Sequence, residues 1–294
     1  MSAFTAPSSL STLRSACAAV GLESFSEPQL IRLGENAVWR LPKLNVIARV
    51  ARSDDRYAQA ERGVAMARWM AQHQVPVAAP LEEIDNPHRT EDGRVVTWWQ
   101  EVEQARPASP AQLGAALAAL HRMPAPEHVE LPRAATVDKA EARLRVVDLD
   151  EEDRVALLEL AGRFQAEYAA LSYDLAETVV HGDAHAANLM ATPAGGLGWV
   201  DLDGVAWGQP EWDLVLTAIE YECGWVSDAQ YSEFVDAYGY DVTSSAAYPV
   251  LRGIRLLRMT SWLAQLPGAV ERREVVRRVR DLRTGASILG WRAF

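Results

Sequence analysis

The chain has 294 residues and a formal net charge of −11, with 49% hydrophobic and 23% charged residues. This balance is typical of a globular protein, and the length allows two lobes with a sizeable core. The acidic charge argues against nucleic-acid binding, and no apolar run has the length of a membrane helix. An acidic protein body favours cationic small molecules or simply maintains solubility.

The two cysteines, Cys17 and Cys223, lie far apart in the sequence. They predict neither a disulfide framework nor a zinc ribbon. The N-terminal stretch lacks a basic start followed by an apolar block, so we expect no secretory signal. These features favour a cytoplasmic location.

The first hundred residues predict strands and one helix. Short β-prone runs at 29–34, 36–41 and 44–50 are separated by turn residues. Residues 56–73 predict a helix that ends before a Val-Pro breaker. Residues 94–102, RVVTWWQEV, predict a further strand.

From Ser109 onward the pattern is mainly helical. Helices are predicted at 110–123, where Pro110 begins a run of regularly spaced leucines, and at 151–171. A short β insert follows between residues 177 and 203, and the chain is predicted to be helical after Pro210. The sequence therefore predicts a nucleotide-binding lobe at 1–103, a hinge near 99–104 and a helical lobe at 104–294.

The β insert contains the polar run HGDAHAANLM at 181–190. His181, Asp183 and His185 alternate, and on a strand they would share one face, so a zinc site of a metal-dependent hydrolase is one interpretation. No further His or Cys is close in sequence, which argues against it. A polar turn in which His181 is structural is a second interpretation.

A third interpretation is phosphoryl transfer. This reaction needs a base or orienting group for the acceptor hydroxyl and oxygen ligands that hold Mg²⁺ against the phosphates. Kinase catalytic loops place an Asp and, five residues later, an Asn in these roles. Asp183 and Asn188 have this spacing, and Asp201 ends the next predicted hairpin strand.

HGDAHAANLM, followed by GWVDLDGVAWGQPEWDLV, resembles the aminoglycoside phosphotransferase and choline-kinase-like family of small-molecule kinases. The resemblance implies an α+β, bilobal, protein-kinase-like fold with a small β-rich N-terminal lobe and a larger, mainly helical C-terminal lobe. It also implies ATP or GTP with Mg²⁺ as cofactors. The acceptor would be a hydroxyl group of a small molecule, such as an antibiotic or another natural product.

By resemblance, Asp183 is the catalytic aspartate, and Asn188 and Asp201 ligate Mg²⁺. Asp203 is a competitor for the metal, but the family's aspartate directly follows an aliphatic pair, which favours Asp201. Asp213 matches a later family aspartate that is usually structural, and an Asp near a helix start is also a common capping residue.

The resemblance also implies a nucleotide site in the N-terminal lobe. Its residues would be Gly34, Glu35, Asn36, Arg49, Gln100 and Val102. The first three lie in a turn that would cover the phosphates, although a plain hairpin turn is the alternative. Arg49 would contact phosphate oxygens, and the last two residues would hold adenine at the hinge.

One position departs from the family pattern. The helix glutamate that usually pairs with the basic residue is replaced by Gly63. Glu61 either restores the pair through a shifted register or is a surface charge. The departure leaves room for a nucleotide-binding protein with weak or no catalysis.

The acceptor is expected to lie in the helical lobe. Aromatic and acidic candidates for its site are Trp207, Trp212, Tyr221, Glu222 and Trp225, and the alternative is that they fill the core. Arg252, Arg255 and Arg258 have helical spacing. These arginines would either bind an anionic acceptor or form a solvent-exposed helix face, and we expect the second.

Overall fold

The computed structural model describes residues 4–22, 27–102, 105–134 and 137–294. Two compact units can be distinguished. Unit 1 contains the described residues up to Ala108, together with Pro126–Leu131 and Ala187–Val205. Unit 2 contains Ser109–Ala125, the described part of Pro132–Ala186, and Ala206–Phe294. The run 181–188 therefore begins in unit 2 and ends in unit 1.

Unit 1 is built on a five-stranded antiparallel sheet of order β1-β2-β3-β5-β4. Its strands are β1 (Gln29–Leu33), β2 (Asn36–Leu41), β3 (Val46–Ala51), β4 (His88–Arg89) and β5 (Val95–Gln100). Burial alternates along β2, as the two-residue period of a strand requires when one face is covered. The three predicted strands before residue 51 and the one that begins near residue 94 are confirmed.

Two helices belong to unit 1, α1 (Ala6–Ala19) and α2 (Tyr57–Gln72). The second was predicted, and the first was not. Thr5 and Ser8 form a capping box at the start of α1, an arrangement that stabilises a helix start. Leu13, Ala16 and Cys17 of α1 pack with the inner residues of the sheet in one apolar core.

A smaller three-stranded sheet, of order β6-β8-β9, completes unit 1. It contains β6 (Arg106–Pro107), β8 (Leu189–Ala191) and β9 (Leu197–Trp199). β8 and β9 form the predicted hairpin, with Leu189 opposite Trp199. A 3₁₀ turn at Leu202–Gly204 follows β9.

Unit 2 is mainly helical. Its helices are α3 (Pro110–His121), α4 (Asp138–Leu144), α5 (Glu151–Ala169), α6 (Glu211–Glu222), α7 (Asp228–Tyr238), α8 (Tyr248–Leu263) and α9 (Ala269–Thr284). Strands β7 (Thr178–Val180) and β10 (Ala206–Gly208) pair antiparallel. The short helix α4 was not predicted. Among the described residues, no helix is both long and apolar enough to span a bilayer.

Candidate active site

In unit 2, the buried carboxylate of Asp213 holds the start of the loop 181–188. It accepts hydrogen bonds from the backbone amides of His181, at 2.6 Å, and Gly182, at 2.8 Å. His121 Nε2 lies 3.1 Å from the same carboxylate. Asp213 lies in the first turn of α6 and is fully buried, so it fixes the loop backbone and is not a solvent-exposed helix cap.

The charge of Asp213 is compatible with its burial because several groups compensate it. Burial raises the pKa of the carboxyl, but the hydrogen bond and charge of His121, with further contributions from His181, bring the pKa below its ordinary value. Asp213 is therefore ionised at neutral pH and can serve as a permanent acceptor for two amides.

Gly182 has a backbone conformation that the sequence did not reveal. Its φ is +81°, a region where a residue with a Cβ is strained. Its carbonyl accepts a hydrogen bond from Trp212 Nε1 at 3.2 Å. The glycine therefore allows the turn that leads into Asp183.

Arg255, on α8, lies buried against the loop 181–188. It was expected on a solvated helix face, but only 3% of its side chain is exposed, and that prediction is wrong. Its Nη1 lies 3.3 Å from Asp183 Oδ1. The guanidinium also donates to the carbonyls of Gly182 and Trp212 and lies over the Trp212 ring at 4.1 Å.

The carboxylate of Asp183 contacts a buried cation on one side and is exposed to solvent on the other. Burial lowers the pKa of Arg255, against the opposing effect of Asp183 and Asp213. The Asp183 side chain itself is 54% exposed, so one carboxylate oxygen is fixed by Arg255 while the group remains accessible. Glu220, half-buried on α6, has its pKa raised to about 7 by burial and by the charge of Asp183.

The zinc interpretation receives no support from this loop. His181 is buried, and its Nδ1 accepts a weak hydrogen bond from the Asp183 amide at 3.4 Å. His185 Nε2 lies 3.9 Å from Asp183 Oδ2. Within the described parts of the chain, no group of three or more His, Cys, Asp or Glu residues is arranged to hold a metal.

In unit 1, the β8–β9 hairpin brings the backbone of Asn188 next to that of Val200, the residue before Asp201. The amide of Val200 donates to the Asn188 carbonyl at 2.9 Å, which places Asp201 one residue beyond this pair. Asp201 has φ +58° and ψ +55°, a left-handed conformation that Asp tolerates better than most residues. The Asp201 side chain is 26% exposed, so its carboxylate is accessible to a ligand.

Arg49, on β3, bonds to both carboxylates that follow β9. Its Nη2 donates to Asp201 Oδ1 and to Asp203 Oδ2, each at 2.8 Å, and its Nη1 lies 3.3 Å from Asp203 Oδ1. Burial lowers the pKa of Arg49, but the charges and hydrogen bonds of the two aspartates raise it above the ordinary value. Arg49 is therefore a fixed cation.

Glu61 does not replace the missing helix glutamate. It is exposed, and Arg49 is bonded to Asp201 and Asp203 instead. Gly63 is buried. The lack of an acid at this position therefore does not leave Arg49 without a carboxylate.

The predicted phosphate-covering turn joins β1 to β2. The Gly34 amide donates to the Asn36 carbonyl at 3.0 Å, and the Glu35 carbonyl accepts from the Arg52 amide at 3.2 Å. The Asn36 side chain donates to Asp203 Oδ2 at 3.1 Å. Asn36 is thus linked to the Arg49 cluster as well as to the turn.

The predicted hinge is described only up to residue 102, because residues 103 and 104 lie outside the described ranges. The Gln100 amide already donates to the Ala79 carbonyl at 2.8 Å. It cannot also donate to an adenine. The half-buried Val102 follows Glu101, whose amide donates to the Asn45 carbonyl at 2.7 Å.

The aromatic acceptor candidates all have structural partners. Trp212 is 3% exposed and supports the loop, Tyr221 stacks on Tyr231 at 4.7 Å, and Trp225 Nε1 donates to the Trp291 carbonyl. Trp207 bonds to Glu177 through Nε1, and Glu222 pairs with Arg252 at 2.6 Å. The core-packing interpretation therefore fits Trp212, whereas the other four residues are only half-buried.

Sequence reasoning missed the contributions of Arg255, His121 and Glu220, and the Arg49-binding role of Asp203. A signal for Arg255 existed, since it lies among the apolar residues Ile254, Leu256 and Leu257 and an arginine in such a run has a buried partner. No local signal identified Asp203, because its partner lies more than 150 positions earlier in the chain.

Comparison with known proteins identifies the family of this chain. The model of the APH phosphotransferase enzyme family matches residues 31–254, which is more than half of the chain and ends one residue before Arg255. No curated protein matches the chain.

Solved structures similar to this chain are kinases at low identity. Amicoumacin kinase hAmiN, in complex with AMP-PNP, Ca²⁺ and Ami, is 13% identical with a TM-score of 0.67, covering 91% of this chain and 92% of that one. Choline kinase LicA from Streptococcus pneumoniae is 12% identical with a TM-score of 0.67, covering 94% and 99%. Spectinomycin phosphotransferase APH(9)-Ia, with ADP and spectinomycin, is 14% identical with a TM-score of 0.65, covering 92% and 93%. The predicted kinase-like α+β fold is confirmed.

Proposed function

The chain belongs to the phosphotransferase enzyme family, and from that premise we propose that it transfers a phosphoryl group from Mg²⁺-bound ATP or GTP to a hydroxyl of a small molecule in the cytoplasm. The observation that carries the proposal is the setting of Asp183. Its loop is held by the buried carboxylate of Asp213, and one of its oxygens is fixed by Arg255. The other oxygen can accept a proton.

Asp183 would receive the acceptor hydroxyl. The hydroxyl oxygen forms a bond to the terminal phosphorus, the bond from that phosphorus to the bridging oxygen breaks, and the nucleoside diphosphate leaves. The hydroxyl proton passes to Asp183. The contact with Arg255 orients the carboxylate that accepts the proton.

Asn188 and Asp201 would hold the metal ion. One carboxylate and one amide oxygen suit Mg²⁺, which takes only a few ligands from a protein when phosphates and water complete its shell. The accessible carboxylate of Asp201 fits this role. When bound, the ion offsets negative charge on the phosphates. Arg49 would contribute a second positive charge to the same phosphates.

For the acceptor, we propose an antibiotic or another natural product that carries an amine as well as the reacting hydroxyl. The chain is acidic overall, and the half-buried Glu220 is electrostatically coupled to Asp183. Structures similar to this one include kinases for amicoumacin, spectinomycin and choline. Resistance to an antibiotic is the physiological role that we favour.

An acceptor screen by coupled ADP or GDP release tests the proposal. The panel contains aminoglycosides, peptide and nucleoside antibiotics, macrolides, amino sugars and choline-like alcohols, each with ATP or GTP and Mg²⁺. We expect turnover with at least one acceptor, and loss of that turnover in Asp183→Ala. Asp236→Ala, which removes an exposed aspartate of α7, is the matched control. Unchanged turnover in Asp183→Ala would refute the assigned role.

The non-catalytic alternative rested on Gly63, and Asp203 weakens that argument because it supplies Arg49 with a carboxylate. Titration with Mg²⁺ and ATP or GTP separates the alternatives. Nucleotide binding without turnover on the whole panel would favour a nucleotide-binding protein. Stoichiometric zinc without nucleotide binding would favour the hydrolase.

A further inference from the structure

Arg49 is bonded to Asp203 through two nitrogens and to Asp201 through one. Two parallel contacts fix both the position and the plane of a guanidinium, whereas a single contact allows it to pivot. Asp203 is therefore the stronger orienting partner of Arg49.

Asp203 is itself held by two other elements of unit 1. Asn36 of β2 donates to its Oδ2 at 3.1 Å, and Gln59 of α2 donates to its main-chain carbonyl at 2.8 Å. The side chain of Arg49 is only 12% exposed. The aspartate thus belongs to a braced hydrogen-bond network and not to a loose surface pair, whose contribution would be small.

The face of α2 that bears Gly63 lies against the same 3₁₀ turn. A Cβ placed on Gly63 would lie 3.9 Å from the Cβ and the carbonyl oxygen of Leu202, which is ordinary van der Waals contact. A longer side chain at residue 63 would therefore start beside the segment that carries Asp203. Asp203, in the 3₁₀ turn that faces α2, therefore supplies the carboxylate that residue 63 lacks.

We propose that Asp203 is a positioning residue that holds Arg49 in place for the nucleotide phosphates, in the role that a helix glutamate at residue 63 would otherwise have. The inference rests on the proposed function. It also assigns different tasks to the two aspartates. Once Asp201 is engaged by a metal ion, Asp203 still holds the guanidinium.

A charge-relocation experiment tests this assignment. Asp203→Ala and the nearly isosteric Asp203→Asn are each compared with wild type for kcat, for the KM of the nucleotide and for the Mg²⁺ concentration that gives half-maximal rate. We expect the nucleotide KM to rise about tenfold, with a smaller change in kcat and an unchanged Mg²⁺ requirement. Glu61→Ala, which removes an exposed acid of the same helix, should match wild type.

The second arm adds Gly63→Glu to Asp203→Ala. We expect Gly63→Glu to reverse at least one third of the increase in nucleotide KM that Asp203→Ala causes. Gly63→Ala in the same background should leave that increase unchanged. No rescue, or a loss that appears only as a raised Mg²⁺ requirement, would overturn the assignment, and the latter would make Asp203 a metal ligand.

A third arm uses nucleotide-free protein and so separates this inference from the proposed function. Urea midpoints are measured for Arg49→Met, Asp203→Asn and the double variant. We expect the urea midpoint of the double variant to fall by less than the sum of the two single-variant decreases. Additive shifts would overturn the pairing of Asp203 with Arg49, whereas failure of the wild type to bind any nucleotide would overturn the proposed function and leave that pairing as a purely structural one.

Discussion

Two charged clusters among the described residues, one around Asp213 in unit 2 and one around Arg49 in unit 1, use carboxylates in opposite ways. In unit 2, Asp213 is fully buried and bonds to backbone amides. In unit 1, the side chains of Asp201 and Asp203 remain 26% and 30% exposed, and both bond to Arg49. A buried carboxylate with fixed donors sets a backbone conformation. An accessible carboxylate beside a cation remains available to a ligand.

The difference predicts that the unit 2 cluster contributes more to stability than the unit 1 cluster. Removing one partner of a buried, hydrogen-bonded charge leaves the other groups unpaired in a medium that solvates them poorly. A partly exposed group regains water when its partner is lost. The following variants test this contrast, from the largest expected effect to the smallest.

Asp213→Ala should lower the free energy of unfolding by about 3–5 kcal/mol, because two buried amides and His121 lose their acceptor. Urea unfolding at neutral pH measures the change. Because folding lowers the pKa of Asp213, its stabilisation is present above the unfolded-state pKa and is lost as the pH falls through the folded-state value. The variant should therefore lose less stability on acidification than wild type. A loss below about 1 kcal/mol at neutral pH would contradict the bracing role.

Arg255→Met should reduce kcat by about tenfold to a hundredfold, the usual effect of removing a group that orients a reacting residue. The nucleotide KM should stay near the wild-type value, because Arg255 contacts Asp183 and none of the predicted nucleotide-binding residues. Arg252→Ala, which removes an arginine from the same helix, is the control. An unchanged kcat would reduce Arg255 to a packing residue.

Glu220→Gln should slightly stabilise the protein at pH 8, by less than about 1 kcal/mol. Folding raises the pKa of this carboxyl to about 7, so the folded state binds the proton more tightly than the unfolded state. Stability attributable to Glu220 is therefore present at low pH and is lost as the pH rises from the unfolded value through 7. Urea midpoints from pH 5 to 8 should show a flatter profile for the variant. Parallel profiles would contradict the raised pKa.

Asp201→Asn should change the free energy of unfolding by no more than about 0.5 kcal/mol. Asn tolerates the left-handed conformation at this position, and the lost ion pairs with Arg49 and Arg32 are partly exposed, so each contributes little. The same variant should lose Mg²⁺-dependent turnover. A destabilisation as large as that of Asp213→Ala would remove the contrast between the clusters.

Local sequence patterns were sufficient for much of the fold. Alternating apolar residues predicted β2 and β3, and Pro110 with spaced leucines predicted α3. Helix α1 was missed although Thr5, Pro7 and Ser8 form a helix-start signal. The serine-rich run contains too few apolar residues for a helical period to be recognised. The hairpin after Asn188 followed from two short β-prone runs with a turn between them.

The candidate site was predictable where its residues are neighbours in the sequence. The spacing of Asp183, Asn188 and Asp201 required only local patterns. The burial of Arg255 and the pairing of Arg49 with Asp203 depend on residues brought together over long separations. Periodicity on one helix cannot show which face an adjacent loop covers, so Arg255 was misassigned to solvent.

The most direct test of the central claim is the mass of the acceptor after one turnover. Wild-type protein, Asp183→Asn and Asp236→Asn are each incubated in excess over the best acceptor of the screen, with its preferred nucleotide and Mg²⁺. We predict that wild type and Asp236→Asn convert the acceptor to a product heavier by one phosphoryl group, whereas Asp183→Asn leaves it unchanged. Phosphorylated acceptor formed by Asp183→Asn at the wild-type rate would contradict the account.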